Sequence, residues 1–210
     1  MSQSAEPEAL PDKQTLRRQI RAQRRSVAPE RDRVADGEAI AAAACAFLDN
    51  LDRRSALTGE QPLNSSGSSV AIYRSLPTEP PTEALAEMLL ARGVRVVVPE
   101  MLPDKDLDWH ELRSDGGQGP GLGLDRIAAA HLILVPALAV DRSGTRLGQG
   151  GGSYDRALAR RHPDAVVVAI VNDGEFDALP LPHEAHDVGM DAVITPGAGL
   201  SPIPGAGSAS

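Results

Sequence analysis

Residues 132–156 read Leu132-Ile-Leu-Val-Pro-Ala-Leu-Ala-Val-Asp-Arg-Ser-Gly-Thr-Arg-Leu-Gly-Gln-Gly-Gly-Gly-Ser-Tyr-Asp-Arg156. The apolar run at the start, stopped by Pro136, predicts a short buried strand. A loop follows, and its glycines lead into a helix that is predicted for residues 153–161. A strand that passes through a glycine-rich loop into a helix is typical of α/β proteins.

The same alternation extends along most of the chain. Four more short apolar runs predict strands at 70–73, 94–98, 166–171 and 192–195, and helical patterns cover 10–27, 29–51 and 82–91. Nearly all-apolar strands that alternate with helices indicate a mostly parallel sheet covered on both faces, hence an α/β fold with three layers, α/β/α. In such sheets ligands bind beyond the carboxyl ends of the strands, so function is expected just after Tyr73, Val98, Val135 and Val171.

One domain is predicted, from residue 10 to residue 196. The polar leader 1–9, the tail 197–210 and a loop at 57–68 are predicted to be flexible, and a surface loop is predicted at 114–123. The chain has 210 residues, which suits one α/β domain, and 41% hydrophobic residues, enough for a substantial core.

Composition excludes several classes of protein. The net charge of −8 and the single Trp argue against nucleic-acid binding. One cysteine, Cys45, rules out an internal disulfide. No apolar run of membrane-spanning length and no signal sequence is evident, so no membrane attachment and a cytoplasmic location are expected.

The loop before the last predicted helix is a candidate anion site. Glycines let backbone N–H groups approach an anion without a Cβ in the way, Arg146 can fork onto phosphate oxygens, and Asp155 could hold a divalent cation. The loop is not a Walker A motif, which needs Gly-Lys-Ser/Thr. From the glycines alone, a flexible loop with a surface arginine remains an equal alternative.

The first predicted helix carries a basic stripe. Lys13, Arg17 and Arg21 lie four residues apart, on one face, and residues 13–33 contain eight basic and two acidic side chains. This local patch could hold anionic substrates on an otherwise acidic protein, although a solvated basic helix face is the alternative.

These motifs resemble those of the 5-formyltetrahydrofolate cyclo-ligases, also called methenyltetrahydrofolate synthetases. Arg146-Leu-Gly-x-Gly-x-Gly-x-Tyr-Asp155 is similar to the signature of that family. Further matches occur in the same order over residues 13–195: Lys13-Gln-Thr-Leu-Arg17, Pro77-Thr-Glu79 with Thr82, Pro136-Ala-Leu-Ala-Val-Asp141 and His186-Asp187. The resemblance implies a Rossmann-like α/β/α sandwich.

The resemblance also implies roles for individual residues. Arg146 and Lys13 would be catalytic, and Asp155 and Asp187 would bind Mg²⁺. Glu79, Trp109 and Tyr154 would contact the folate. ATP would be held by Lys13, Arg17, Arg146, Leu147, Gly148, Gln149, Gly150, Gly151, Gly152, Ser153 and Tyr154. Alternatives stay open from the residues themselves: Asp187 as an N-cap or turn residue, Glu79 as an exposed loop carboxylate, and Trp109 as a core or surface-covering residue.

The reaction implied is the ATP- and Mg²⁺-dependent cyclisation of 5-formyltetrahydrofolate, with or without a polyglutamate tail, to 5,10-methenyltetrahydrofolate, by a monomer. Some positions depart from the family pattern: residues 116–125 lack its Glu-Pro segment, His131 replaces an Asp, Gln149 replaces a basic or aromatic residue, and Ser153 replaces an aromatic one. A non-catalytic folate- or nucleotide-binding protein is therefore the first alternative. A sugar-phosphate isomerase or acyl transferase, on fold analogy alone, is the second.

Overall fold

The computed structural model describes residues 11–58, 68–177, 180–184 and 187–204. The predicted leader 1–9, most of the predicted loop at 57–68 and His186 lie outside these ranges. Among the described residues, no helix is long and apolar enough to cross a membrane.

The chain alternates between helices and strands, as its hydrophobic pattern predicts. The helices are α1 (Lys13–Val27), α2 (Arg33–Thr58), α3 (Glu83–Ala91) and α4 (Ser153–Ala159), with short 3₁₀ turns at Ala28–Glu30 and Leu124–Ala129. The strands are β1 (Ser69–Ala71), β2 (Val96–Met101), β3 (Leu107–Leu112), β4 (Gln118–Gly121), β5 (Ala130–Pro136), β6 (Ala139–Val140), β7 (Arg146–Leu147), β8 (Val166–Ile170), β9 (Ala192–Thr195) and β10 (Gly199–Pro202).

Eight strands form one sheet in the order β10-β9-β8-β5-β1-β2-β3-β4, and β6 pairs with β7 in a separate hairpin. The five strands from β9 to β2 run parallel, while β10, β3 and β4 are antiparallel additions at the two edges. The five parallel strands are those predicted from the sequence. From β1 the chain leads to β2 on one side of β1, and it later returns to β5 on the other side. The strand order therefore reverses between β1 and β5, which is where α/β sheets form their binding crevice.

Each face of the sheet is covered by its own hydrophobic core, which confirms the three-layer α/β/α architecture. Along β5, Leu132 and Leu134 pack with α2 and α3 on one face, whereas Ile133 and Val135 pack with α4 on the other. This alternation follows from the period of two in a strand, and covering both faces with helices explains why the strand reads as a continuous apolar run.

Two predictions about the margins of the domain are wrong. Residues 199–202 of the predicted flexible tail form β10, which pairs with β9, and Ile203 is buried in the core on the α4 face. The predicted surface loop at 114–123 contains β4, which pairs with β3. Both segments join the sheet through backbone hydrogen bonds at an edge, where few apolar side chains are needed.

Candidate active site

A cavity of about 460 Å³ opens at the carboxyl ends of the central strands. Tyr73 and Arg74 follow β1, Pro99 lies in the second half of β2, and Pro136 ends β5; all four line the cavity. This is the crevice at which the strand order reverses, and three of the four strand ends predicted to carry function meet there. Asn172, which follows the fourth, lines a separate depression beside α1.

The structure brings thirteen of the fifteen predicted site residues to this cavity. They come from α1, the loop after β1, strand β7 and the loop after it, the start of α4 and the segment before β9. The thirteen are Lys13, Arg17, Glu79, Arg146, Gly148, Gln149, Gly150, Gly151, Gly152, Ser153, Tyr154, Asp155 and Asp187.

Leu147 and Trp109 do not line the cavity. The side chain of Leu147 is buried in a small core beside Leu16 and Leu138, so only its backbone could face a ligand. Trp109 is fully buried in the core on the α4 face, because every second residue of β3 points to that face. The prediction that Trp109 lines the folate pocket is therefore wrong, and its alternative, a core tryptophan, is the observed one.

The glycine loop after β7 depends on the absence of side chains at particular positions. A Cβ on Gly148 would lie 2.8 Å from Nη1 of Arg146, so a larger residue would displace the guanidinium. Gly150 has a φ of +97°, a backbone conformation that residues other than glycine rarely adopt. The loop thus combines a close approach to Arg146 with a turn that only glycine readily adopts.

Helix α1 fixes the loop from outside the sheet. Nε of Arg17 donates to the carbonyl of Gly148 at 2.9 Å, and Nε of Arg21 donates to Oε1 of Gln149 at 2.9 Å. One turn further, Arg24 is 3% exposed and forms a buried ion pair with Glu175, with both N–O distances at 2.7 Å. The basic stripe predicted on α1 is therefore a docking face as well as a source of positive charge.

Arg146 is held at the floor of the cavity before any ligand is present. The side chain is nearly buried, Nη2 pairs with Asp155, and the guanidinium carbon lies 5.9 Å from the centre of the Tyr154 ring. Among the described residues, Nε of Arg146 has no hydrogen-bond partner. Arg146 lines the cavity and could offer its positive charge to an anionic ligand.

Lys13 lines the cavity and is paired with two carboxylates. Its ammonium group is 2.9 Å from Asp187 and 3.0 Å from Glu184, both in the segment between β8 and β9. Burial lowers the pKa of Lys13, but the hydrogen bonds to the two carboxylates outweigh burial and leave the pKa above its ordinary value. Lys13 is therefore a fixed positive charge throughout the physiological range.

Asp141 organises the approach to the loop from the hairpin before it. Its Oδ1 accepts hydrogen bonds from the backbone N–H groups of Ser143 and Thr145, which shapes the turn between β6 and β7. Its Oδ2 accepts from the N–H of Leu181, at the start of the segment that leads to Asp187. One buried carboxylate thus fixes both the strand that carries Arg146 and the chain that approaches Asp187.

Comparisons with known proteins identify the family of this chain. The model of the 5-formyltetrahydrofolate cyclo-ligase family matches residues 9–196. The chain belongs to this family. It is 38% identical to the 5-formyltetrahydrofolate cyclo-ligase of Mycolicibacterium smegmatis over 204 residues, which cover 90% of this chain and 95% of that one.

Two solved methenyltetrahydrofolate synthetase structures share the fold of this family member. The structure from Aquifex aeolicus has a TM-score of 0.60 at 20% identity, covering 91% of this chain and 93% of that one. The structure from Mycoplasma pneumoniae has a TM-score of 0.58 at 19% identity, covering 87% of this chain and 98% of that one. At these identities the likeness supports the architecture.

Several cavity residues of this cyclo-ligase family member were not predicted individually. Met101 and Leu107, which are paired across β2 and β3, form an apolar wall with Pro99. Leu76 also lines the cavity, and Glu184 adds a carboxylate beside Lys13. The rule that ligands lie beyond strand ends indicates the neighbourhood of Pro99 and Arg74. Leu107 belongs to β3, and the signal in the sequence that could have revealed this strand is its alternation of apolar and polar residues. Glu184 has no signal in the sequence, since nothing distinguishes it from a surface carboxylate.

Proposed function

We propose that this chain uses ATP and Mg²⁺ to cyclise 5-formyltetrahydrofolate to 5,10-methenyltetrahydrofolate, releasing ADP and phosphate. The observation that carries the proposal is the meeting, in one cavity, of three cationic side chains around a glycine loop with a buried carboxylate and an apolar wall. Membership in the cyclo-ligase family supports the reaction class.

The nucleotide half is proposed on the side of Lys13, Arg17 and Arg146. The three cations border the same glycine loop, whose backbone N–H groups can approach phosphate oxygens closely. Helix α4 is short, with seven residues, so the side chains rather than its dipole are expected to dominate phosphate binding.

The folate half is proposed on the side of the apolar wall. Glu79 is 5% exposed and lies after β1, where its carboxylate can accept hydrogen bonds from the N–H groups of a pterin. Burial raises the pKa of the Tyr154 hydroxyl far above its ordinary value, so this group is a neutral donor. Arg74 is exposed beside the turn between β3 and β4, where its Nη2 donates to the carbonyl of Gly116. Its charge suits the carboxylates of a folate glutamate or polyglutamate tail.

In the proposed reaction the formyl oxygen attacks the γ-phosphorus and ADP leaves. N10 then adds to the activated carbon, the ring closes, the N10 proton is lost and phosphate departs. Such a phosphoryl transfer asks the protein mainly for positioning and for neutralisation of charge. Arg146 and Lys13 supply fixed positive charge, and the walls of the cavity hold the two substrates in line.

The residues present fit a magnesium ion bound together with phosphates. Among the described residues no three His, Cys, Asp or Glu side chains cluster into a metal site, but Mg²⁺ is usually held by one or two carboxylates plus substrate phosphates. Asp155 and Asp187 both line the cavity, and each pairs with a cation that the phosphates could attract instead. When bound, the ion would neutralise charge on the phosphates.

Asp155→Asn and Asp187→Asn are each expected to raise the Mg²⁺ concentration that gives half the maximal rate by about tenfold or more, since even losing an outer partner of a ligand typically costs about 10–100-fold in affinity. Calorimetric titration of Mg²⁺ in the presence of a non-hydrolysable ATP analogue should show the same shift. Glu184→Gln is the matched control, because Glu184 also pairs with Lys13 but is not a proposed ligand. Unchanged magnesium titrations in both Asn variants would make these aspartates structural.

Purified protein with 5-formyltetrahydrofolate, ATP and Mg²⁺ is expected to produce the absorbance of the methenyl product. Omission of ATP should abolish it. Tight binding of folate without any product would instead support the non-catalytic binding protein, which the missing Glu-Pro segment and Ser153 favour. The monomeric state and the cytoplasmic location stay predictions.

A further inference from the structure

The side chain of Gln149 joins two parts of the cavity that come from distant segments of the chain. Its Oε1 accepts from Nε of Arg21 on α1 at 2.9 Å, and its Nε2 donates to Oε1 of Glu79 at 3.2 Å. One end of a carboxamide only accepts and the other only donates, so these two partners together fix its orientation. Gln149 is thus the middle of a chain that runs from α1 through the glycine loop to the loop after β1.

The carboxylate of Glu79 depends on few groups for its orientation. Within the described ranges, its carboxylate accepts from the backbone N–H of Leu76 at 3.0 Å and from Gln149. A carboxylate has about four acceptor positions, so roughly two remain for a ligand. Because the side chain is buried, an error in its orientation would not be compensated by solvent.

The glycine loop lies against a cation proposed to hold phosphate, since Nε of Arg17 donates to the carbonyl of Gly148 at 2.9 Å. Phosphate bound by Arg17 and the loop would hold the loop more tightly than α1 does alone. Gln149 lies between Gly148 and Gly150 and moves with them. A nucleotide that fixes this loop would therefore also fix the carboxamide, and through it the carboxylate of Glu79.

We propose that Gln149 is a positioning residue that couples the two substrates, so that nucleotide bound at the glycine loop strengthens the binding of folate at Glu79. The proposal rests on the proposed function, which assigns nucleotide and folate to these two sides of the cavity. Coupling of this kind is reciprocal, and bound folate must strengthen nucleotide binding by the same factor.

Calorimetry should measure the affinity for 5-formyltetrahydrofolate with and without a non-hydrolysable ATP analogue and Mg²⁺. In the wild-type protein the analogue is expected to tighten folate binding about tenfold, within the usual range of about 5–150-fold for coupled sites. In Gln149→Ala the factor should fall to about one. Gln149→Glu, which has the same shape and keeps the acceptor for Arg21, should also lose the coupling, because it places a second carboxylate against Glu79.

The controls separate coupling from damage to the fold. Gln19→Ala changes an exposed glutamine on α1 and should leave the factor at its wild-type value. In a Glu79→Ala background, adding Gln149→Ala should change the factor no further, since Gln149 acts through Glu79. Thermal unfolding midpoints close to wild type for Gln149→Glu would show that the loss is not one of folding.

Two negative results are distinguishable. Turnover by the wild-type protein with independent binding of the two substrates, or full coupling in both Gln149 variants, would overturn the coupling alone. Absence of both folate binding and turnover in the wild-type protein would overturn the proposed function.

Discussion

Arg146→Ala is expected to lower the turnover number by about 10²–10³, the loss typical when one preorganised group that stabilises transition-state charge is removed. Arg146 is 7% exposed and packs against the ring of Tyr154, so its charge is already placed at the cavity before phosphoryl transfer begins. A donor fixed in a largely water-free site contributes more to the transition state than to the ground state. The turnover number should therefore change more than the stability of the fold.

The measurement is the initial rate of methenyl formation at saturating ATP and folate, with the unfolding midpoint measured on the same samples. Arg146→Lys keeps the charge but not the planar fork, and should recover part of the rate. Arg18→Ala, which removes an exposed arginine from α1, should be close to wild type. Wild-type turnover in Arg146→Ala would remove Arg146 from the reaction.

Glu175→Ala should have the largest effect on stability, a loss of about 3–5 kcal/mol in the free energy of unfolding. Glu175 accepts from Nε and Nη2 of Arg24 and from the backbone and side chain of Asn172. Its removal would leave the guanidinium of Arg24 buried without a compensating charge. For a chain of this size the loss corresponds to a fall of roughly 10 °C or more in the unfolding midpoint.

Chemical denaturation of the variant checks this value. Asp164→Ala, at an exposed carboxylate, should leave the free energy of unfolding within about 0.5 kcal/mol of wild type. The double variant Arg24→Met/Glu175→Met should be more stable than Glu175→Ala, because no unpaired charge remains. A loss below about 1 kcal/mol in Glu175→Ala would mean that water reaches Arg24.

The parallel part of the sheet was predictable and the antiparallel edges were not, for a physical reason. Strands such as β5 and β8 are buried on both faces, so they read as unbroken apolar runs. In β3 polar and apolar residues alternate, and β10 holds a single large apolar side chain, Leu200. The edge strands β4 and β10 are held mainly by backbone hydrogen bonds, which leave little trace in composition.

The candidate site was predictable where a motif carries it. Residues 146–155 form one continuous motif, and the basic stripe of α1 forms another. The structure places both motifs at one cavity. The pairing of Lys13 with Glu184 and the bridge from Gln149 to Glu79 join residues far apart in the chain. Such contacts depend on how the layers dock, and no local pattern encodes them.

The docking of α1 also sets the order in which the protein can become competent during its synthesis. Arg24 pairs with a residue 151 positions later in the chain, and Lys13 with one 174 positions later. At a synthesis rate of about 5–20 residues per second, α1 waits on the order of ten seconds for these partners to emerge from the ribosome. A nascent chain of 160 residues already contains Arg17 and its partner Gly148, yet it lacks Glu175 and Asp187, the acidic partners of Arg24 and Lys13. The acidic anchors of α1 are therefore among the last groups of the domain to be made.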